Sequence, residues 1–266
     1  MIGRIFSRRR PATPRGDLPA GRRLYAIGDV HGRLDLLDDL LEQIAADDRM
    51  RGEANTGLIF LGDLIDRGPD SAGVVERVRT LCASRPDTRC LLGNHEEILL
   101  QVLGGDERAT RLFCRIGGNE TALSYGVTPE MYQILDHIEL SEQLSTIVPE
   151  SHRAFLGVME DLIVEGDYAF VHAGVRPGVP FDEQKPSDLR WIRERFLDYS
   201  GALERIVVHG HTIRADVEEL AHRIGIDTGA YATGVLTAIG LEGDRRWFLQ
   251  TAQTTQLNEK STNLAE

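Results

Sequence analysis

Short apolar runs punctuate the chain, and five of them stop at a cluster of glycine, acidic, amide or imidazole residues. Leu24–Ile27 runs into Gly28-Asp29-Val30-His31-Gly32, and Leu58–Leu61 runs into Gly62-Asp63-Leu64-Ile65-Asp66-Arg67-Gly68. Cys90–Leu92 leads to Gly93-Asn94-His95-Glu96, Tyr168–Val171 to His172-Ala173-Gly174, and Ile206–Val208 to His209-Gly210-His211-Thr212. Runs this short, bounded by glycine, predict buried strands. Helical spacing follows the first three: Leu34, Leu37, Leu41 and Ile44 share one face, as do Val74, Val78 and Leu81, and then Ile98 and Val102. Strand–cluster–helix units predict an α/β protein whose helices cover a sheet. Such sheets hold ligands beyond the carboxyl ends of their strands, so the five clusters are expected to converge on one rim.

The pattern changes between residues 104 and 165. Thr128-Pro129-Glu130 is a helix start, with a capping hydroxyl and a proline in the first turn, and Met131, Leu135 and Ile138 supply an apolar face. This stretch is expected to be a mostly helical insertion beside the rim. Gly234–Leu241 and Arg246–Thr251 predict closing strands. Residues 1–23, rich in arginine and proline, are expected to form a disordered basic arm, and residues 252–266 a polar tail, leaving 24–251 as the folded body.

With 266 residues, 41% of them hydrophobic and 27% charged, the chain has globular composition and enough length for a sizeable core. No apolar run approaches the roughly 20 residues a bilayer requires, so no transmembrane segment is expected. Cys82, Cys90 and Cys114 are odd in number and form no CxxC pair. That composition predicts neither a disulfide framework nor a thiolate metal site, and fits a cytoplasmic protein. The net charge of −12 is unevenly placed. Seven arginines against Asp17 make residues 1–23 positive, and the body is correspondingly more acidic. An acidic body repels backbone phosphates and argues against nucleic acid as a partner.

Metal chemistry resolves the apparent conflict between an acidic body and a phosphate substrate. The clusters hold seven metal-capable side chains: Asp29, His31, Asp63, Asn94, His172, His209 and His211. Nitrogen and oxygen donors without thiolate suit manganese, iron or zinc, and the number suffices for two adjacent ions if one carboxylate bridges them. With only Asp29 and Asp63 as anionic ligands, plus a bridging hydroxide, two divalent ions keep a surplus of about one positive charge to meet a phosphate dianion. His137, His152 and His222 fall outside the clusters and read as surface histidines.

Those blocks resemble the signature motifs of the calcineurin-like metallophosphoesterase superfamily. Asp66-Arg67-Gly68 followed by Asn94-His95-Glu96 is similar to the phosphoprotein-phosphatase branch, in the compact bacterial and bacteriophage arrangement. The likeness spans roughly residues 24–245, apart from the helical insertion. It implies a four-layer α/β/β/α sandwich with two divalent ions, manganese first among the candidates. Asp29 and His31 then bind one ion, Asp63 bridges, and Asn94, His172 and His211 bind the other. His95 is implied as general acid, with Asp66 holding its ring and Arg67 clamping phosphate. Trp191-Ile192-Arg193-Glu194-Arg195 resembles the Trp-Asn-Arg-Glu-Arg stretch of the bacteriophage enzymes and implies Arg193 as a second clamp, with Arg190 and Arg195 as chemically equivalent neighbours. The chain departs from the family at Leu92, where arginine is common, and at His209, which takes the arginine position of an Arg-Ala-His motif and is left outside the ligand set. The implied activity is a serine/threonine protein phosphatase acting on phosphorylated protein or peptide. A diadenosine tetraphosphate hydrolase built on the same site, and a non-catalytic metal-binding scaffold, are the alternatives.

Overall fold

A computed structural model of the chain describes residues 14–252. The first half alternates strand and helix: β1 (Arg22–Ile27), α1 (Leu34–Arg51), β2 (Asn55–Phe60), α2 (Ser71–Ser84), β3 (Thr88–Cys90) and α3 (Asn94–Leu103). Five helices follow, α4 (Glu107–Ile116), α5 (Gly118–Ser124), α6 (Pro129–Ile134), α7 (His137–Ile147) and α8 (Glu150–Gly157). The second half contains β4 (Ile163–Glu165), β5 (Tyr168–Phe170), α9 (Pro186–Trp191), α10 (Glu194–Leu197), β6 (Ile206–His209), β7 (Glu218–Glu219), β8 (Arg223–Gly225), α11 (Ala230–Thr233), β9 (Thr237–Glu242) and β10 (Arg245–Gln250).

Two five-stranded sheets result, ordered β10-β9-β1-β2-β3 and β4-β5-β6-β8-β7, with β1, β2 and β3 mutually parallel and β5, β6 and β8 likewise. The two-residue period of β1 explains how the sheets stack. Leu24 and Ala26 point into a core shared with Phe170, Val208 and Ile224 of the other sheet, while Tyr25 and Ile27 point the opposite way, toward Leu37 and Leu40 of α1. A third core, containing Val171, Ala173, Phe196 and Val207, closes the outer face of the second sheet. Helices, sheet, sheet and helices therefore make four layers, and truncating a wholly buried residue of the middle layer, such as Leu24→Ala, costs about 2–5 kcal/mol.

The helical insertion forms over α4 to α8, and within it Thr128 caps α6 by accepting from Met131 N at 3.2 Å. The expected closing strands are β9 and β10. At the amino end the structure departs from the expected arm. Arg22 and Arg23 lie within β1, and Leu18 is buried between the sheets. The Arg23 guanidinium is fully buried, bonded to Asp48 at 2.7 Å and Glu242 at 3.0 Å, so this arginine is a core ion pair and not part of a solvated basic run. Residues 14–21 stay with the body because Asp167 accepts the N–H groups of Arg15, Gly16 and Asp17 at 2.9–3.2 Å. The rest of the arm, 1–13, and all of the tail beyond Ala252 lie outside the described residues. Among the described residues, no helix is long and apolar enough to cross a membrane.

Partial burial works against the Asp167 carboxylate, but the three N–H donors and nearby Arg205 hold its pKa below the ordinary value. A depressed carboxylate stabilises the folded state above its unfolded pKa of about 4, and that contribution is lost as pH falls through the lower folded value. Asp167→Ala is expected to release the 14–18 segment and speed tryptic cleavage at Arg15 several-fold at neutral pH. Equal cleavage rates in variant and wild type would show that the clamp does nothing.

Candidate metal centre

The carboxyl ends of β1, β2, β3, β5 and β6 meet where the two sheets come together, and the turns there are backbone-strained. Among the described residues only five non-glycine positions have positive φ: His31 (46°), Asp63 (50°), Asp66 (72°), Arg67 (70°) and His211 (64°). All five belong to the clusters singled out by the sequence. Left-handed backbone at such residues persists only where surrounding bonds over-determine it. Here buried Glu96, in the first turn of α3, accepts from Asp63 N at 2.8 Å, Leu64 N at 2.7 Å and Gly93 N at 3.0 Å. Asp66 N is bonded to Ser71 Oγ at 3.0 Å and Thr121 Oγ1 at 2.9 Å.

Two groups of ligand atoms share the Asp63 carboxylate: His31, Asp63 and His95 on one side, and Asp63, His172 and His211 on the other. Asp63 Oδ2 lies 3.6 Å from His31 Nε2 and 3.4 Å from His172 Nε2. His31 Nδ1 donates to the Ile65 carbonyl at 2.7 Å and His172 Nδ1 to the Leu61 carbonyl at 2.8 Å, so each ring turns Nε2 toward Asp63. Asn94 Oδ1 is 3.0 Å and His211 Nδ1 3.2 Å from His172 Nε2. Asp29 joins from β1 by accepting from His211 N at 3.0 Å.

Cations fit this arrangement. Asp29 Oδ1 and His211 Nε2 are buried with no hydrogen-bond partner among the described residues, and the lone pairs around Asp63 face one another with little between them. The Arg67 guanidinium reaches the same groups, donating to His31 Nε2 at 2.7 Å and His95 Nε2 at 3.0 Å. Electrostatics agree. Burial alone would raise the Asp63 carboxyl, yet the imidazoles of His172, His95 and His31 hold it well below the usual range. Burial works against the His172 imidazolium, but Asp63 and Asp29 push its pKa up to about 10. His211, buried and beside that charge, is pushed down to about 2, and Arg193 contributes to the same depression. Burial and then the charge of Asp227 drive Asp29 well above the carboxylate range. Divalent cations would compete with protons for these electron-rich atoms.

His95 sits beside the ligands with its Nδ1 2.6 Å from Asp66 Oδ2, and Thr121 Oγ1 donates to the other Asp66 oxygen at 2.6 Å. Burial opposes the His95 imidazolium, but Asp63 and Asp66 raise its pKa. The helical insertion therefore does more than flank the site: Thr121 of α5 fixes Asp66, and Gly117 accepts from Arg67 N at 2.9 Å. Of the three arginines in the 190–195 stretch, Arg190 is tied to Asp161 and Glu97, and Arg195 is exposed, its charge felt by Asp188. Arg193 is exposed, and its charge is felt by His211.

Sequence reasoning missed four participants. Asp227 is a buried carboxyl next to Asp29, and burial and the charge of Asp63 raise its pKa. It follows the apolar end of β8 in Asp227-Thr228-Gly229, a sixth run-and-cluster of the kind already noted. Glu96 stood inside a recognised motif without a role. Thr121 and Tyr231 carried no local signal. One histidine reading also changes, that of His152, and His209, left outside the ligand set, finds its place. His209 faces away from the ligand groups, packed edge-on against Phe196 at 5.1 Å, and burial pushes it down to about 4. His152, expected at the surface, is buried between Tyr125 Oη at 2.9 Å and Glu76 at 3.0 Å. His137 is exposed and His222 half-buried.

A Cβ at Gly210 would land on Asp29 Oδ1. Gly210→Ala is therefore expected to displace that carboxylate and reduce bound manganese per chain, measured by elemental analysis after dialysis, while the circular dichroism spectrum is retained. Asp63→Asn is expected to lower metal content more severely, because both ligand groups lose their shared anion. Full loading of either variant would contradict this assembly.

Comparison with known proteins agrees with the geometry. The profile of the calcineurin-like phosphoesterases matches residues 22–227. A symmetrical bis(5'-nucleosyl)-tetraphosphatase of Acidovorax sp. (strain JS42) is 30% identical over 184 residues, covering 69% of this chain and 51% of that protein. The asymmetrical bis(5'-nucleosyl)-tetraphosphatase PrpE of Bacillus mycoides (strain KBAB4) is 30% identical over 226 residues, covering 80% of this chain and 88% of its own. The chain thus spans about half the length of the symmetrical relative and most of the asymmetrical one. A proposed diadenosine tetraphosphatase of known structure superposes with a TM-score of 0.60 at 21% identity, over 86% of this chain and 94% of the other, a likeness of fold. With its motif residues gathered at one sandwich edge and its sequence matched over most of its length, this chain belongs to the calcineurin-like phosphoesterases.

Proposed function

We propose that the protein is a metal-dependent hydrolase of dinucleoside polyphosphates, cleaving a phosphoanhydride bond of a substrate such as diadenosine tetraphosphate. The observation that carries hydrolysis of a phosphoryl group is the Asp63 carboxylate shared between two ligand groups, with the His95–Asp66 pair alongside. The substrate class rests on the tetraphosphatases among its relatives, on which the sequence motifs alone favoured a protein phosphatase instead.

Asp29, His31 and Asp63 are assigned to one divalent cation and Asp63, Asn94, His172 and His211 to a second; donors of this kind suit manganese, iron or zinc. Such a pair supplies Lewis acidity at the phosphoryl oxygens and acidifies water near them. When the phosphoryl group enters, Arg67 leaves the histidine rings for its oxygens, and Arg193 meets it from the other side. His95 Nε2 is then free to carry a proton, with Nδ1 held by Asp66. As water adds to phosphorus and the bridging P–O bond breaks, His95 protonates the departing oxygen.

A second reading, phosphoserine and phosphothreonine hydrolysis, is favoured by that same His95–Asp66 pair, because alkoxides need a proton far more than phosphate leaving groups do. One variant separates the readings. His95→Asn is expected to reduce turnover of a phosphoserine peptide much more than turnover of diadenosine tetraphosphate or p-nitrophenyl phosphate. Wild-type kcat/KM for the dinucleotide is expected to exceed that for the peptide; the reverse order would establish the phosphatase. Arg193→Ala is expected to lower kcat/KM by about tenfold to a hundredfold, the range for losing a charge-assisted bond, and Arg195→Ala far less. Equal effects would remove Arg193 from its assigned role.

A further inference from the structure

A cavity of about 660 Å3 is lined by Arg67 and by Gly32, the residue after His31, and so adjoins the metal centre. Its volume lies within the range of small-molecule sites, and its walls differ from those of the metal centre. Tyr231 of α11 forms one wall, with its ring edge-on to His31 at 5.5 Å and the Arg67 guanidinium 4.9 Å from the ring centre. Arg33, Asp35, Asp38 and Asp70 also line the cavity. Arg33 is not available to an anion, because Asp35 grips it at 2.6 and 2.8 Å and the Ala230 carbonyl takes its remaining nitrogen at 3.1 Å. Asp70 uses one oxygen to cap α2 through Gly73 N at 2.8 Å, and its other oxygen has no partner among the described residues. Asp38 meets Arg77 through a single oxygen at 2.7 Å.

Asp35 and Asp38 are paired with arginines, which leaves the second oxygen of Asp70 and of Asp38 to accept hydroxyl or amino donors, the chemistry by which acidic residues hold ribose. An exposed aromatic face beside it suits a nucleobase. Arg67 lines the cavity and also contacts His95, so a phosphoryl group held by Arg67 has both within reach. We propose that the cavity is a nucleoside subsite, in which Tyr231 stacks the base and Asp70 and Asp38 accept the ribose hydroxyls of the departing nucleotide. The assignment rests on the dinucleoside polyphosphate reading above and adds to it the residues that select a nucleotide over a peptide.

The test compares kcat/KM for diadenosine tetraphosphate, p-nitrophenyl phosphate and a phosphoserine peptide in manganese-loaded wild type, Tyr231→Ala, Tyr231→Phe and Asp70→Asn. Tyr231→Ala is expected to lower the dinucleotide-to-nitrophenyl ratio about tenfold, mainly through KM, in keeping with the loss of one stacked base. Tyr231→Phe should keep the ratio, and Asp70→Asn, which retains a capping oxygen for α2, should lower it in the same direction. If wild type cleaves the dinucleotide but Tyr231→Ala leaves the ratio unchanged, the subsite is wrong and the substrate class stands. A ratio that falls for the peptide alone would assign the cavity to peptide and overturn the proposal. No dinucleotide cleavage by wild type would overturn the substrate class and the subsite with it.

Discussion

The structure turns on keeping one carboxylate ionised where there is almost no water. Asp63 is 2% exposed. An unpaired carboxylate at such a place loses several kcal/mol of hydration, which its surroundings must return. Three imidazoles and the His95 N–H do part of this, and Glu96 anchors the strained turn beneath it. Yet Glu96 is itself a fully buried acid, pushed up to about 7 by burial and by the charge of Asp63. Asp29 and Asp227 add two more acidic groups within electrostatic reach. Anions so close together are stable as a set only with positive charge among them. The polypeptide supplies Arg67 and protonated imidazoles, and neither is fixed in place as firmly as the acids are. A centre of this kind is arranged around cations that it does not make from its own side chains.

The same constraint explains the strain. Each left-handed non-glycine residue costs about 1–3 kcal/mol, so five of them approach the net stability of about 5–15 kcal/mol typical of a whole protein. The molecule holds them by cross-linking distant parts of the chain. Glu96 ties α3 to the turn after β2, His211 N ties the turn after β6 to Asp29, and Thr121 ties α5 to Asp66. Sheet packing brings the strand ends together, but these side-chain bonds decide which atoms face one another. That is why the insertion belongs to the catalytic architecture: without α5, Asp66 would lose one of the two hydroxyls that position its backbone and the one that donates to its carboxylate.

The parts of this arrangement that were legible in the sequence are those with a local signature. A short apolar run followed by glycine and an acid or imidazole is visible in a window of ten residues, so β1, β2, β5 and β6 and the clustered Asp29, His31, Asp63, His172 and His211 could be read directly. The third run was displaced by two residues because β3 is only three residues long and the apolar pair Leu91-Leu92 continues past its end. Contacts across layers leave no such trace. Nothing near Thr121 announces that it bonds to a residue 55 positions earlier, and nothing near Arg23 distinguishes a buried ion pair from the arginines before it. His209 shows the limit of proximity: it ends β6 packed against Phe196, whereas His211, two residues on, sits beyond the strand in a left-handed turn that brings its ring to His172. Asp227 was legible and overlooked, since it completes the repeating pattern of run and cluster.

Substrate identity is harder to read because the catalytic core is nearly indifferent to it. Two candidate ligand groups beside an imidazole paired with a carboxylate present the same surroundings to a phosphoryl group, whether it belongs to a monoester or an anhydride. Discrimination has to come from whatever surrounds the departing group, and there the constraints on sequence are loose: an aromatic ring, an unpaired carboxylate, a short helix. Arg67 marks the boundary. On one side it answers to His31 and His95, whose positions are dictated by the buried acids. On the other it faces Tyr231, half-exposed on a four-residue helix whose ends are two left-handed glycines. The first side can hardly change without losing the centre. The second can change freely, and that is where a family with one chemistry has room to diverge in what it cleaves.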